Sequence, residues 1–225
     1  MRLVLFDIDG TLVSVGRAAR DAFGEALEAV YGYEGDLDRY DFSGRTDPQI
    51  ATMILGDFGL ADDAIEAALP ALWQHYLGGL ARTVPGRARV LPGIQELVEA
   101  LAADERFRLA LLTGNIEPGA RLKLGAAGLN DYFPFGAFGS DSASREDLPP
   151  IAVARATAID GHAFRGRDVV IIGDSIYDVR CGVPHGALTI AIASGKTPRA
   201  ALAAENPDFL FDSAEEDVMR AILGR

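Results

Sequence analysis

The chain has 225 residues, of which 49% are apolar and 24% charged, with a formal charge of −12. That balance excludes a disordered chain, and the length suits one large α/β domain or a core with a smaller companion. The negative field repels nucleic acid and anionic lipid, so neither is an expected partner, and an anionic substrate would need local cations or a bound metal.

Residues 3–8 form a short apolar run of strand formers closed by Gly10, which predicts a buried parallel strand. The run is too short for a signal h-region or a membrane span, and Asp7 and Asp9 interrupt it. The single cysteine, Cys181, has no internal disulfide partner, so a cytoplasmic protein is expected, with Cys181 as a small core residue.

Residues 15–89 read differently. Ala18, Ala22, Phe23, Ala26, Leu27 and Val30 recur at helical spacing. Thr46-Asp47-Pro48 is a helix start with proline in the first turn. A further helix is predicted over 62–80, kinked near Pro70. No strand is predicted in this interval, so a helical insert interrupts the sheet after its first strand. Residues 13–16 and 85–92 would be its linkers. Trp73, His75 and Tyr76 are expected to pack between insert helices, with lining of the cleft as the alternative.

Further strands are predicted at 107–112, 168–172 and 188–192, with a weaker one at 208–211. Helical patterns lie between most of them. Such alternation predicts an open parallel sheet with helices on both faces. His162 and His185 have no evident partner and are expected to be structural.

Three segments carry chemistry. In Phe6-Asp7-Ile8-Asp9-Gly10-Thr11, two carboxylates sit where a buried strand ends, the place at which open α/β sheets bind ligands. Like charges this close call for a cation or a shared proton; a strand exit with an Asx turn is the structural alternative. In Thr113-Gly114-Asn115, a hydroxyl and backbone N–H groups just past a strand can cradle anionic oxygens, or can form an ordinary turn or cap. In Gly173-Asp174-Ser175-Ile176-Tyr177-Asp178, carboxylates again follow a strand, and hard oxygen ligands there suit magnesium. A helix N-cap at Asp174 or Ser175 is compatible with that role.

Asp-x-Asp-Gly-Thr at residues 7–11, followed by Thr113-Gly114-Asn115 and by the Gly-Asp-x-x-x-Asp of residues 173–178, resembles the motif series of the haloacid dehalogenase (HAD) superfamily. The resemblance covers nearly the whole chain. It implies a Rossmann-like parallel-sheet core over 1–14 and 90–225, with an inserted all-α cap over 15–89. It implies that Asp7 attacks phosphorus and that Asp9 protonates the leaving oxygen and then activates water. Thr113 would hold the phosphoryl group, helped by Gly114 and Asn115. Asp174 would ligate Mg2+ with the Asp7 carboxylate and the Asp9 carbonyl, and Asp178 would stand behind them.

The family's third motif is a lysine beside the nucleophile. Only Lys123 and Lys196 exist here, and neither occupies the expected position. Arg145 does, and it is expected to serve as the phosphate-binding cation, with Lys196 and Arg121 in reserve. In the cap, Arg45 of Ser43-Gly44-Arg45-Thr46-Asp47 is the expected substrate contact. A cap closes over the site, excludes water and selects the leaving group.

Asp9 argues against dehalogenation, whose enzymes lack this second aspartate. The absence of lysine from 14–89 argues against the phosphonate-cleaving members, which use a cap lysine. The resemblance therefore implies a phosphatase of small phosphorylated metabolites, of the phosphoglycolate-phosphatase kind. Two alternatives stay open: a phosphosugar mutase of the beta-phosphoglucomutase kind, and a non-catalytic phosphate-binding module.

Overall fold

The structure, a computed structural model, describes residues 1–224. Its first strand, β1 (Arg2–Phe6), is followed by a short β2 (Val13–Ser14). Helices α1 (Ala18–Tyr31), α2 (Asp47–Asp57) and α3 (Asp62–Thr83) come next, then β3 (Arg89–Val90). The chain continues as α4 (Ile94–Ala102), β4 (Phe107–Thr113), α5 (Glu117–Ala126), β5 (Gly136–Phe138), α6 (Leu148–Asp160), β6 (Val169–Gly173) and α7 (Ile176–Gly182). It closes with β7 (Leu188–Ile192), α8 (Arg199–Ala204), β8 (Phe209–Phe211) and α9 (Val218–Ile222).

Six strands form one sheet in the order β5-β4-β1-β6-β7-β8, and every pairing is parallel. β1 is central, and Leu3, Val4, Leu5 and Phe6 are all fully buried. Burial on both faces explains why that strand reads as a continuous apolar run rather than an alternating one. Val4 and Phe6 join one core cluster with α4 and α9, while Leu3 and Leu5 join another with α6.

The helical insert has its own apolar cluster. Phe23, Ile54, Leu72 and Leu80 are buried in it, and the Phe23 ring meets Tyr76 edge-on at 5.1 Å. Trp73 and Tyr76 pack there, Tyr76 also lining the cavity, whereas His75 is exposed, contrary to the expectation that it packs between helices. Thr46 caps α2 by accepting from the Gln49 N–H, so the helix begins where its sequence predicts. α3 runs unbroken through Pro70. The proline removes the bond to the Glu66 carbonyl, and Glu66 is exposed, so water can take the vacated position.

Two features differ from the sequence expectation. The junctions of the insert are not plain linkers: β2 and β3 pair antiparallel, Val13 with Val90 and Ser14 with Arg89, and tie entry to exit. β5 has no counterpart among the strands the sequence predicts. It is three residues long and begins with glycine, a weak strand signal, and its pairing with β4 rather than its own pattern makes it a strand. A side chain at Gly136 would meet the Leu111 carbonyl at 2.7 Å, so only glycine fits there. Among the described residues, no helix is long and apolar enough to cross a membrane.

Candidate functional site

Strands β4, β1 and β6 are neighbours, and their C-terminal ends bring Thr113, Asp7 and Asp174 to one edge of the sheet. The Asp7 N–H still donates to the Ile172 carbonyl at 3.0 Å, which holds this aspartate in register with β6. The chain then turns at Gly10, where φ is +86°. A side chain at Gly10 would sit 2.5 Å from Asp174 Oδ2, and one at Gly195 would sit 1.6 Å from it. Backbone therefore approaches Asp174 from two loops, and only glycine allows it. Ser194 Oγ donates to the Gly10 carbonyl at 2.7 Å and closes this side.

Asp7 and Asp174 are buried. Burial raises the Asp7 carboxyl to about 6, with Arg145 opposing the rise and Asp178 adding to it. Burial, then the charges of Asp7 and Asp178, push Asp174 well above the ordinary carboxylate range. Asp174 accepts from Thr11 Oγ1 at 3.1 Å. Asp7, Asp174 and Asp178 each present a carboxylate oxygen within 4.8 Å of the others. Such a set fits a hard divalent cation, because buried like charges are most simply relieved by positive charge between them.

Asp178 is already engaged. Its Oδ1 accepts from Arg145 Nη2, and its Oδ2 accepts from the Ser175 N–H at 2.9 Å and the Ser175 hydroxyl at 2.6 Å. Ser175, not Asp174, caps α7, and Asp178 completes the capping box. Of the three clustered carboxylates, Asp7 and Asp174 are thus those left facing the cavity.

Arg145 is 5% exposed, in contrast to an ordinary surface arginine. Its Nη2 lies 3.4 Å from Asp7 Oδ1 and donates to the Leu112 carbonyl at 3.2 Å. Its Nη1 donates to the Gly44 carbonyl at 3.3 Å. Burial alone would lower its pKa, but Asp178 and Asp7 outweigh that and hold the guanidinium charged. Of the reserve cations, Lys196 lines the cavity, whereas Arg121 turns to Glu117, Asn130 and the Phe133 carbonyl.

Asn115 and Thr113 are coupled, since Asn115 Nδ2 donates to Thr113 Oγ1 at 2.8 Å and to Asp9 Oδ2 at 2.8 Å. Gly114 serves a different need. A side chain there would meet the Arg45 carbonyl at 2.0 Å, so glycine lets the insert approach the core. Its carbonyl accepts from the Asp47 N–H at 2.7 Å. Thr46 Oγ1 donates to the Ala143 carbonyl at 2.6 Å, which completes this seam. Arg45 lines the cavity with its guanidinium 5.3 Å from the Tyr177 ring centroid.

Sequence reasoning missed two residues. Lys123 is 2% exposed and donates to Asp9 Oδ2 and to Asn115 Oδ1, both at 2.5 Å. A signal existed: it shares the buried face of α5 with Ala120 and Leu124, an odd place for a lysine without a partner. Asp47, read only as part of a helix start, is buried and accepts from the Ile116 N–H at 2.9 Å through Oδ2. Burial raises its carboxyl to about 6, with Lys123 opposing. His162 packs edge-on against Phe164 and His185 is exposed, both outside the site. Cys181 is buried beneath it, and burial raises its thiol to about 12, so it is not a nucleophile.

The cavity that joins these residues has a volume of about 370 Å³ and lies between insert and sheet. Its floor is Asp7, Asp9, Thr113, Asn115, Lys123, Arg145 and Asp174. Such a floor offers two carboxylates for chemistry, donors for anionic oxygens and a place for a cation.

Comparison with known proteins gives the family and the fold. Residues 1–186 match the family model of the haloacid dehalogenase-like hydrolases. A phosphoglycolate phosphatase from Rhodospirillum rubrum is 30% identical over 213 residues, covering 90% of this chain and 85% of that protein. Among solved structures, a hydrolase from Pseudomonas syringae superposes with a TM-score of 0.74 at 21% identity, covering 97% of each chain. CbbY from Rhodobacter sphaeroides, solved in complex with phosphate, superposes with a TM-score of 0.71 at 22% identity, covering 96% of each chain. These two are likenesses of fold.

Proposed function

The chain belongs to the haloacid dehalogenase-like hydrolases, and from that premise we propose that it is a magnesium-dependent phosphatase of small organic phosphate monoesters. The observation that carries this reading is the convergence of Asp7, Thr113, Arg145 and Asp174 around one cavity, with Asp9 beside them.

In this reading an Asp7 carboxylate oxygen attacks phosphorus. The new bond joins Asp7 to phosphorus, and the ester P–O bond breaks. Asp9 gives its proton to the departing alcohol oxygen. Water then attacks the phosphoaspartyl group while Asp9 takes a proton from it, which releases inorganic phosphate and restores Asp7. Burial keeps the Asp7 carboxylate from being held in a tight hydration shell. Arg145 bears a fixed charge, and its contact with Asp178 and the Leu112 carbonyl sets its direction. Thr113 and the N–H groups after it would receive the phosphoryl oxygens.

Asp7 and Asp174, with the backbone carbonyl of Asp9, would hold magnesium, which when bound supplies positive charge to the phosphoryl oxygens. Residues 15–89 would act as the cap and Arg45 as a rim contact for the substrate. A small phosphorylated metabolite is the partner this reading requires.

The test is release of phosphate from a generic aryl phosphate in magnesium. Wild-type protein is expected to turn over and Asp7→Asn to be inactive. Turnover by Asp7→Asn near the wild-type rate would overturn the mechanism.

A further inference from the structure

The insert side of the cavity differs from its floor. Val15, Ala19, Phe23, Phe42, Ile50 and Tyr76 line it, so the wall opposite the carboxylates is aliphatic and aromatic. Three of its charged groups are engaged within the protein. Arg20 donates to the Leu37 and Tyr40 carbonyls, and its guanidinium lies 3.9 Å from the Phe42 ring centroid. Asp47 takes the Ile116 N–H, and Arg45 Nε donates to the Asp41 carbonyl. The volume, about 370 Å³, falls in the range of sites that enclose ligands with a sizeable apolar body.

We infer that this wall is a leaving-group subsite for an apolar alcohol, so that the preferred substrates are phosphate monoesters whose alcohol carries an aryl or extended alkyl body. The inference rests on the phosphatase reading and narrows it. A phosphosugar would bring hydroxyl groups against Phe42 and Ala19, the partly exposed part of this wall, where they would lose water without gaining partners. A glycolate body would leave most of the wall uncovered. An apolar body covers it, and because the alcohol body stays in place while the P–O bond breaks, the gain is present in the transition state as well.

The experiment compares esters with closely similar leaving-group acidity, so that chemistry is held constant while the body varies. Phosphate release is measured in magnesium from ethyl, phenethyl and a series of n-alkyl phosphates, beside phosphoglycolate and glucose 6-phosphate. kcat/KM is expected to rise about fourfold per added methylene until the wall is covered. It should favour phenethyl over ethyl phosphate by more than about tenfold. Phe42→Ala, and separately Ile50→Ala, should shrink the phenethyl-to-ethyl ratio. A ratio within one preparation does not depend on how much of that variant is folded.

Equal kcat/KM for ethyl and phenethyl phosphate, or a preference for phosphoglycolate or the sugar phosphate, would overturn the subsite while leaving the phosphatase reading in place. Absence of phosphate release from every ester would remove that reading, and this inference with it.

Discussion

Lys123 Nζ stands 2.5 Å from Asp9 Oδ2, and the lysine side chain is 2% exposed. The pair joins α5 to the loop after β1, across 114 residues. Asn115 bridges the same carboxylate to Thr113, so two side chains, Lys123 and Asn115, hold Asp9 against the C-terminal end of β4. The carboxylate side chain is 41% exposed, so its attraction to Lys123 is partly screened. The bond therefore acts mainly by setting direction.

Lys123→Met keeps the length of the side chain but removes its charge and donors. It should lower kcat roughly tenfold, about 1.4 kcal/mol of barrier. Stability should fall by about 1–3 kcal/mol, because buried Asn115 Oδ1 loses its donor. Steady-state kinetics and denaturant unfolding test both, and an unchanged kcat would show that Asn115 alone orients Asp9.

Asp9→Asn separates binding from chemistry. The variant keeps the backbone carbonyl proposed for the metal but cannot transfer a proton. It should bind phosphate and magnesium by calorimetry while losing a factor of about 10²–10⁴ in rate. Wild-type turnover would remove Asp9 from the acid–base role.

Arg145 is paired with Asp178 and close to Asp7, with all three buried. Arg145→Ala leaves two buried carboxylates without their cation and should cost about 3–5 kcal/mol of stability as well as most activity. Arg145→Lys should retain part of both. If Arg145→Ala turned over normally, the phosphate cation would have to be sought at Lys196.

Asp7 and Asp174 predict a metal effect that is visible without turnover. Magnesium should raise the melting temperature of the wild-type protein, because a cation bound by the native state stabilises it by mass action. Asp174→Asn should abolish that shift, and chelation should abolish phosphate release until magnesium is restored. A full magnesium shift in Asp174→Asn would exclude this carboxylate as a ligand.

Asp47 predicts a pH dependence of stability. Burial raises its carboxyl from an ordinary 3.8 to about 6 in the folded chain. The folded state therefore holds this proton more tightly than the unfolded state. Its contribution is complete below the unfolded value and is lost as pH rises through about 6. A shift of this size corresponds to at most about 3 kcal/mol. Asp47→Asn retains an oxygen for the Ile116 N–H and should be more stable than wild type at neutral pH, with a flatter profile through this range. Superimposable profiles for the two proteins would refute the assignment.

The strand ends were legible in the sequence because a buried parallel strand needs an unbroken apolar run, and a carboxylate closing such a run is conspicuous. Asp7, Asp9 and Asp174 could be placed that way, and so could the Thr46-capped start of α2, whose signal lies within three consecutive residues. The capping role of Ser175 was legible only as one of two options. Lys123 does not match the third motif by its position along the chain, although its place on an apolar helix face marks it. β5 gave little signal, since three residues beginning with glycine acquire strand geometry from β4.

Local pattern is thus enough to show where strands end, where helices start, and which strand ends carry acid. Tertiary structure decided which of those ends meet and what faces them. Lys123 reaches Asp9, Asp47 reaches the start of α5, Arg145 slots between Asp7 and Asp178, and the apolar side of the insert becomes the wall opposite the carboxylates. The physical reason is that hydrogen-bonding patterns and periodicity act over a few residues. The partner of a buried charge is whichever group the packed core brings within reach.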